Sequence, residues 1–259
     1  MSRIATVFAR PRRKALVAYV TVGYPTVEST LEVVPMLAES GCDIVELGIP
    51  FSDPLADGTT IQEASSGALQ AGVTPKTCLD VAGKIRQQTD IPLLFMTYYN
   101  PVLRFGLQSF CVTCAEAGVD GLIVPDLPPD EATDLDTAAR RQGLDLVYLL
   151  TPTSTTERIR LVAEKSRGFV YLVSLLGVTG ARDSLPEGLE DFVRRVRKET
   201  NKPLCVGFGI ATPDQARRVG QVADGVIVGS RMIQLIRDDN PPYQRVKSFT
   251  HELRAALDG

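Results

Sequence analysis

Eight short apolar runs, separated by helical stretches along the whole chain, limit the possible folds more than any other feature of this sequence. They cover residues 15–22, 44–47, 93–97, 121–124, 144–150, 169–173, 204–207 and 225–228. Most are continuous rather than alternating, which is how a parallel strand buried on both faces reads. Between them the spacing predicts helices over residues 27–39, 76–88, 108–117, 131–142, 156–165, 187–199 and 213–221, with a further helical run opening at Arg231. Similar strand openings recur: Gly41-Cys42-Asp43, Gly118-Val119-Asp120 and Asp224-Gly225 each lead into an apolar run. Eight such units in 259 residues is about 32 residues per unit, close to the cadence of a ~250-residue (β/α)8 barrel. No Pro/Ser-rich linker breaks the rhythm, so residues 1–259 read as one TIM-barrel domain. A doubly wound open sheet has the same alternation and is the second reading.

The first fourteen residues hold Arg3, Arg10, Arg12, Arg13 and Lys14 and no acid. Ile4, Val7 and Phe8 fall at i, i+3 and i+4, so a short amphipathic helix packed on the barrel is expected there rather than a transit peptide. Lys and Arg number 28 against 31 Asp and Glu, a net charge of −3. That balance argues against nucleic-acid or membrane-surface binding through gross charge, and no apolar run has the length of a membrane span. Five cysteines cannot all pair, which fits a reducing, cytoplasmic compartment. Cys111 and Cys114 read as two small core residues on one helix face. His251 is the single histidine. Unless it returns to the active site, a Ser-His-Asp triad, a Cys-His dyad and a histidine-rich metal site are all excluded, and no metal is expected.

In a barrel the chemistry sits on the loops after the strands. Three glycine-bearing turns follow the last three runs: Gly177-Val178-Thr179-Gly180, Gly207-Phe208-Gly209-Ile210 and Gly229-Ser230. Any one of them could simply end a strand. Three converging on one quadrant suggest a phosphate site, built from backbone N–H groups and a helix N-terminus. Gly207-x-Gly209 is no dinucleotide fingerprint, because Thr212 stands where the third glycine would fall. The second constellation runs from Glu46 to Gly58. Glu46 interrupts the second apolar run, and alternation with Val45 and Leu47 can turn it into the barrel mouth. It either bridges to a neighbouring strand or works chemically. Asp57-Gly58 is either an Asx turn or, with Glu46, half of a pair of carboxylates for acid–base work. The seven lysines lie before strands, on helices or near the tail, which disfavours a Schiff base. Acid–base catalysis on a sugar phosphate, without a cofactor, is what remains.

These motifs resemble the tryptophan synthase alpha subunit family over essentially the full length. The likeness rests on the run Gly48–Gly58, Met96-Thr97-Tyr98-Tyr99-Asn100-Pro101, Pro125-Asp126-Leu127-Pro128, Gly177-Val178-Thr179-Gly180-Ala181-Arg182 and Gly207-Phe208-Gly209-Ile210. The resemblance implies retro-aldol cleavage of indole-3-glycerol phosphate to indole and glyceraldehyde 3-phosphate, a step of tryptophan biosynthesis. By resemblance, Glu46 handles the protons and Asp57 holds the indole N–H. Gly180, Gly209, Gly229 and Ser230 take the phosphate, Tyr171 and Phe208 line the indole pocket, and Thr179 is a lid residue closing towards Asp57. It also implies a pyridoxal-phosphate β subunit as partner in an α2β2 assembly, docked around Asp53, Pro54, Asn100 and Pro128. The pyridoxal would belong to that partner. Leu175 and Leu176 stand where small or polar residues are expected, at the base of the lid over residues 175–186. A free-standing indole-producing lyase, a non-catalytic allosteric partner and another phosphate-binding barrel isomerase are the alternatives. Glu46 and Asp57 together argue against the non-catalytic partner, and the run from Glu46 to Gly58 argues against the isomerase.

Overall fold

The computed structural model describes residues 2–173, 188–207 and 209–259. Within them lie nine strands: β1 (Ala15–Thr21), β2 (Ile44–Gly48), β3 (Leu93–Met96), β4 (Gly121–Ile123), β5 (Asp145–Val147), β6 (Leu149–Leu150), β7 (Val170–Val173), β8 (Leu204–Gly207) and β9 (Gly225–Val228). They form one sheet in the order β5-β4-β3-β2-β1-β9-β8-β7-β6, and every pairing is parallel. Its two ends, β5 and β6, are separated by Tyr148 alone. The sheet is therefore a ring with one bent strand, and the open-sheet reading is excluded. The predicted run 144–150 is continuous in sequence but divided in its pairing, with β5 bonded to β4 and β6 to β7. Across the bend the Tyr171 N–H donates to the Tyr148 carbonyl at 3.1 Å and the Arg167 N–H to the Leu146 carbonyl at 3.0 Å.

Period-two alternation sorts the strand residues into two cores. Val17 and Tyr19 of β1 face the barrel interior with Ile44, Leu94, Ile123, Phe169 and Ile227. Leu16, Ala18 and Val20 face outwards against Val33, Val34 and Leu37 of the helix Val27–Glu39. Both faces of the strands are buried, which is why the runs read as continuous. The N-terminal helix is Arg3–Phe8, with Ser2 as its cap. Its buried Ile4 and Val7 close the lower end of the interior, as the apolar stripe predicts.

The recurring aspartates before the strands also have a physical reason. The carboxylates of Asp43, Asp120 and Asp224 accept a backbone N–H near the start of a neighbouring strand, from Leu16, Leu93 and Leu204, at 3.0, 2.9 and 2.8 Å. Each aspartate also donates its own N–H to the carbonyl of that same residue. These reciprocal pairs fix the strand register at the lower rim, so stability is organised there and the upper loops are left for chemistry. The structure adds the helices Thr59–Gln70, Tyr99–Phe105 and Gln244–Asp258 to those expected. His251 lies exposed on the last of these.

Candidate active site

Glu46 is the middle residue of β2, in register with Tyr19 of β1 and Leu94 of β3. All five residues of β2 are buried, and Glu46 is 0% exposed. Neither carboxyl oxygen has a hydrogen-bond partner among the described residues, so the bridge to a neighbouring strand, one of the two sequence readings, is absent. Burial alone pushes the carboxyl up to about 8. A buried ion without partners is costly, and the group responds by holding its proton at neutral pH. Nothing in the described packing repays an acid at this position, which makes Glu46 a candidate for a functional role.

Asp57 enters the same space from the loop after β2. Its N–H donates to the Pro54 carbonyl at 3.1 Å, and its carbonyl accepts the Gln62 side-chain amide at 2.9 Å. The next residue, Gly58, caps the helix Thr59–Gln70. The side chain is buried and its Oδ1 lacks a partner. Burial pushes Asp57 up to about 6, with the Tyr98 hydroxyl beside it pulling the other way. Tyr98 also fixes the loop: its hydroxyl accepts the Ala56 N–H at 2.9 Å, and its ring stacks on Phe51 at 5.2 Å.

Two more tyrosines wall the mouth. Tyr19 lies over Gly48, where an added Cβ would come within 2.0 Å of the phenolic oxygen. Tyr171 lies over Gly207 in the same way, with a 2.4 Å approach. Only glycine leaves room for those hydroxyls. Both rings are fully buried and their hydroxyls are raised well above the usual value, first by burial and then by the nearby charges of Glu46 and Asp57. The Thr21 hydroxyl donates to the Tyr19 oxygen at 3.4 Å.

The glycine turns after β8 and β9 sit on the same side of the ring as Glu46, because β9 pairs with β1 and β1 with β2. β8 and β9 are paired, so the turns that follow them adjoin. Gly209 has φ +83°, a conformation that favours glycine. Gly229 caps the helix Ser230–Asp238 without any side-chain cap, which leaves the first N–H groups of that helix open to an anion. A Cβ on Gly229 would lie 3.7 Å from the Cβ of Tyr19, so this helix end adjoins the side chain in register with Glu46. Ile61 approaches the same point at 3.8 Å and adds an apolar surface.

The structure thus brings together Glu46, Asp57, Tyr171, Gly229 and Ser230 around the barrel mouth, with Gly209 on the adjoining turn. Thr179, Gly180, Phe208 and the lid segment with Leu175 and Leu176 lie outside the described residues. Sequence reasoning missed Tyr19, Tyr98 and Ile61. Tyr19 was within reach, because the same alternation that turns Glu46 inwards turns Tyr19 inwards with Val17. Among the described residues no group of three or more His, Cys, Asp or Glu side chains is gathered to hold a metal.

The family model for the tryptophan synthase alpha chain matches residues 6–257. This chain belongs to that family. The tryptophan synthase alpha chain of Dehalococcoides mccartyi is 58% identical over 258 residues, covering 100% of both chains. That of Geobacter sulfurreducens is 48% identical and covers 99% of each. Among solved structures, Mycobacterium tuberculosis tryptophan synthase superposes with a TM-score of 0.93 at 40% identity, covering 100% of this chain and 99% of that one. A tryptophan synthase alpha chain therefore has, in this sequence, a barrel whose mouth holds two unneutralised carboxyl groups and an uncapped helix end.

Proposed function

We propose that this chain is the α subunit that cleaves indole-3-glycerol phosphate into indole and glyceraldehyde 3-phosphate, with Glu46 and Asp57 as its catalytic residues. The observation that carries the assignment of roles is the buried, unpartnered Glu46 facing a mouth with an open helix N-terminus at Gly229. The protonated Glu46 delivers its proton to C3 of the indole ring. The ring nitrogen becomes cationic, and the Asp57 carboxylate accepts its N–H and stabilises that charge. The bond between C3 and the glycerol carbon then breaks, and its electron pair restores the aromatic ring. The hydroxyl on that carbon becomes the aldehyde and gives its proton back to Glu46, so one carboxyl serves as acid and then as base. Gly180, Gly209, Gly229 and Ser230 hold the phosphate, Tyr171 and Phe208 flank the indole, and Thr179 closes towards Asp57. No cofactor takes part in this chain.

The same reading makes a pyridoxal-phosphate β subunit the partner, in an α2β2 assembly in the cytoplasm, with residues 1–259 acting as one domain. Support for docking on the mouth face comes from the exposure of Asp53 and Asn100. Leu55, in the same loop as Asp57, is 92% exposed, an apolar side chain that a partner would cover. The test is indole release from indole-3-glycerol phosphate by the purified chain, first alone and then with a β subunit. Weak release that rises on adding the partner is expected. Full activity alone would indicate a free-standing lyase, and no release in either state would indicate a non-catalytic partner.

A further inference from the structure

We propose that the lower end of the barrel, opposite the catalytic mouth, holds a second anion site that takes a small molecule carrying two or more linked phosphates. A cavity of about 360 Å³ opens there, within the size class of small-ligand clefts. It lies where Lys14, Pro203 and Asp224 lead into β1, β8 and β9, whereas Glu46 is mid-strand in β2 and Asp57 and Gly229 lie beyond the other strand ends. Arg10, Arg12, Arg13, Lys14 and Arg197 line it, and Asp224 is the one acid among its lining residues.

The charges do not cancel. Asp224 pairs with Arg197. Asp43, behind the wall, is shared by three guanidiniums, from Arg10 at 3.1 Å, Arg13 at 2.9 Å and Arg254 at 2.9 Å. One carboxylate cannot neutralise three cations, even with Asp258 taking a share of Arg254. Lys14 donates to the Ala223 carbonyl, which leaves its charge uncompensated. Arg12 makes no ion pair or hydrogen bond among the described residues, and it is held at φ +61°, a strained conformation for a side-chain-bearing residue. A surplus of positive charge thus faces one cavity on a chain whose net charge is −3. Guanidinium forks bind phosphate oxygens two at a time, and a single phosphate would leave part of this surplus unmet, so linked phosphates fit best.

The probe is inorganic triphosphate, titrated calorimetrically into the full chain with the catalytic phosphate turn filled by saturating glycerol 3-phosphate. One saturable site is expected. Arg12→Ser should weaken it about tenfold and Arg12→Glu should abolish it, with indole release unchanged in both variants. Gly229→Asp should leave triphosphate binding intact. Non-saturable heats, equal binding by Arg12→Glu, or loss of binding in Gly229→Asp would each overturn the proposal. The last of these would place the triphosphate in the catalytic turn instead. Because the two sites are read by different variants, failure here leaves the lyase assignment standing.

Discussion

A carboxyl group buried with no hydrogen-bond donor among the described residues, as at Glu46, is stable as an acid and costly as an ion. Its proton is held up to about 8, against a usual value near 4.5. Because the folded-state value is raised, the folded chain binds this proton more tightly than the unfolded chain between those limits. Stability from this group is full below about 4.5 and is lost as pH rises through about 8. Glu46→Gln removes the ionisation and keeps the shape. Its melting temperature should therefore gain on the parent's as pH rises from 5 to 9, a trend that calorimetry at stepped pH would measure. A constant difference would mean that Glu46 is already ionised in the fold. Tyr98 acts on the second carboxyl. Tyr98→Phe deletes the hydroxyl that holds down Asp57 and accepts the Ala56 N–H. The acidic limb of the rate profile should then move to higher pH, and stability should fall by about 1 kcal/mol. An unmoved limb would detach Tyr98 from Asp57.

At the scale of elements, the helix Ser230–Asp238 makes the clearest prediction. Gly229 has φ −111°, which other residues adopt, and an added Cβ meets only ordinary contacts at 3.7 Å or more. Gly229→Asp should therefore fold normally while placing a negative charge at the open N-terminus. The KM for the phosphorylated substrate should rise about tenfold or more, with far-ultraviolet circular dichroism unchanged. An unchanged KM would put the phosphate elsewhere. This helix was legible in the sequence from Gly229-Ser230 onwards, whereas Thr59–Gln70 was not. The buried face of Thr59–Gln70 consists of Ile61, Ala64, Ser65 and Ala68, small residues whose periodicity hardly stands out from their neighbours. The run 144–150 was legible as one strand because its composition is unbroken. The division at Tyr148 arises from ring closure, which pulls the two halves to different neighbours, and no local residue signals it.

At the scale of the molecule, the barrel divides its labour between two rims. Below, aspartates at strand starts hold neighbouring strands, and the N-terminal helix closes the interior with Ile4 and Val7. Above, Glu46 and Asp57 stand in the mouth with carboxyl oxygens that lack partners among the described residues, and the Tyr19 oxygen accepts the Thr21 hydroxyl at 3.4 Å. This plan was largely readable from the eight apolar runs and from one glutamate placed where an apolar side chain belongs. Tyr19 could have been found from the alternation it shares with Val17, whereas Tyr98 was hidden because an aromatic directly after the β3 run reads as core. Their closeness to Glu46 and Asp57 arises across neighbouring strands, with Tyr19 in register with Glu46 and the Tyr98 hydroxyl beside Asp57.

The central claim is that the proton on Glu46 drives the cleavage. The most direct test is the steady-state rate of indole release from indole-3-glycerol phosphate, measured from pH 5 to 9 for the parent chain and for Glu46→Gln, each with the β subunit present. The parent should rise as Asp57 ionises at about 6 and fall as Glu46 loses its proton at about 8. Glu46→Gln should lose roughly 10²–10⁴ in rate, with little change in KM. Near-normal turnover by Glu46→Gln, or a parent profile with no fall above pH 8, would contradict the account.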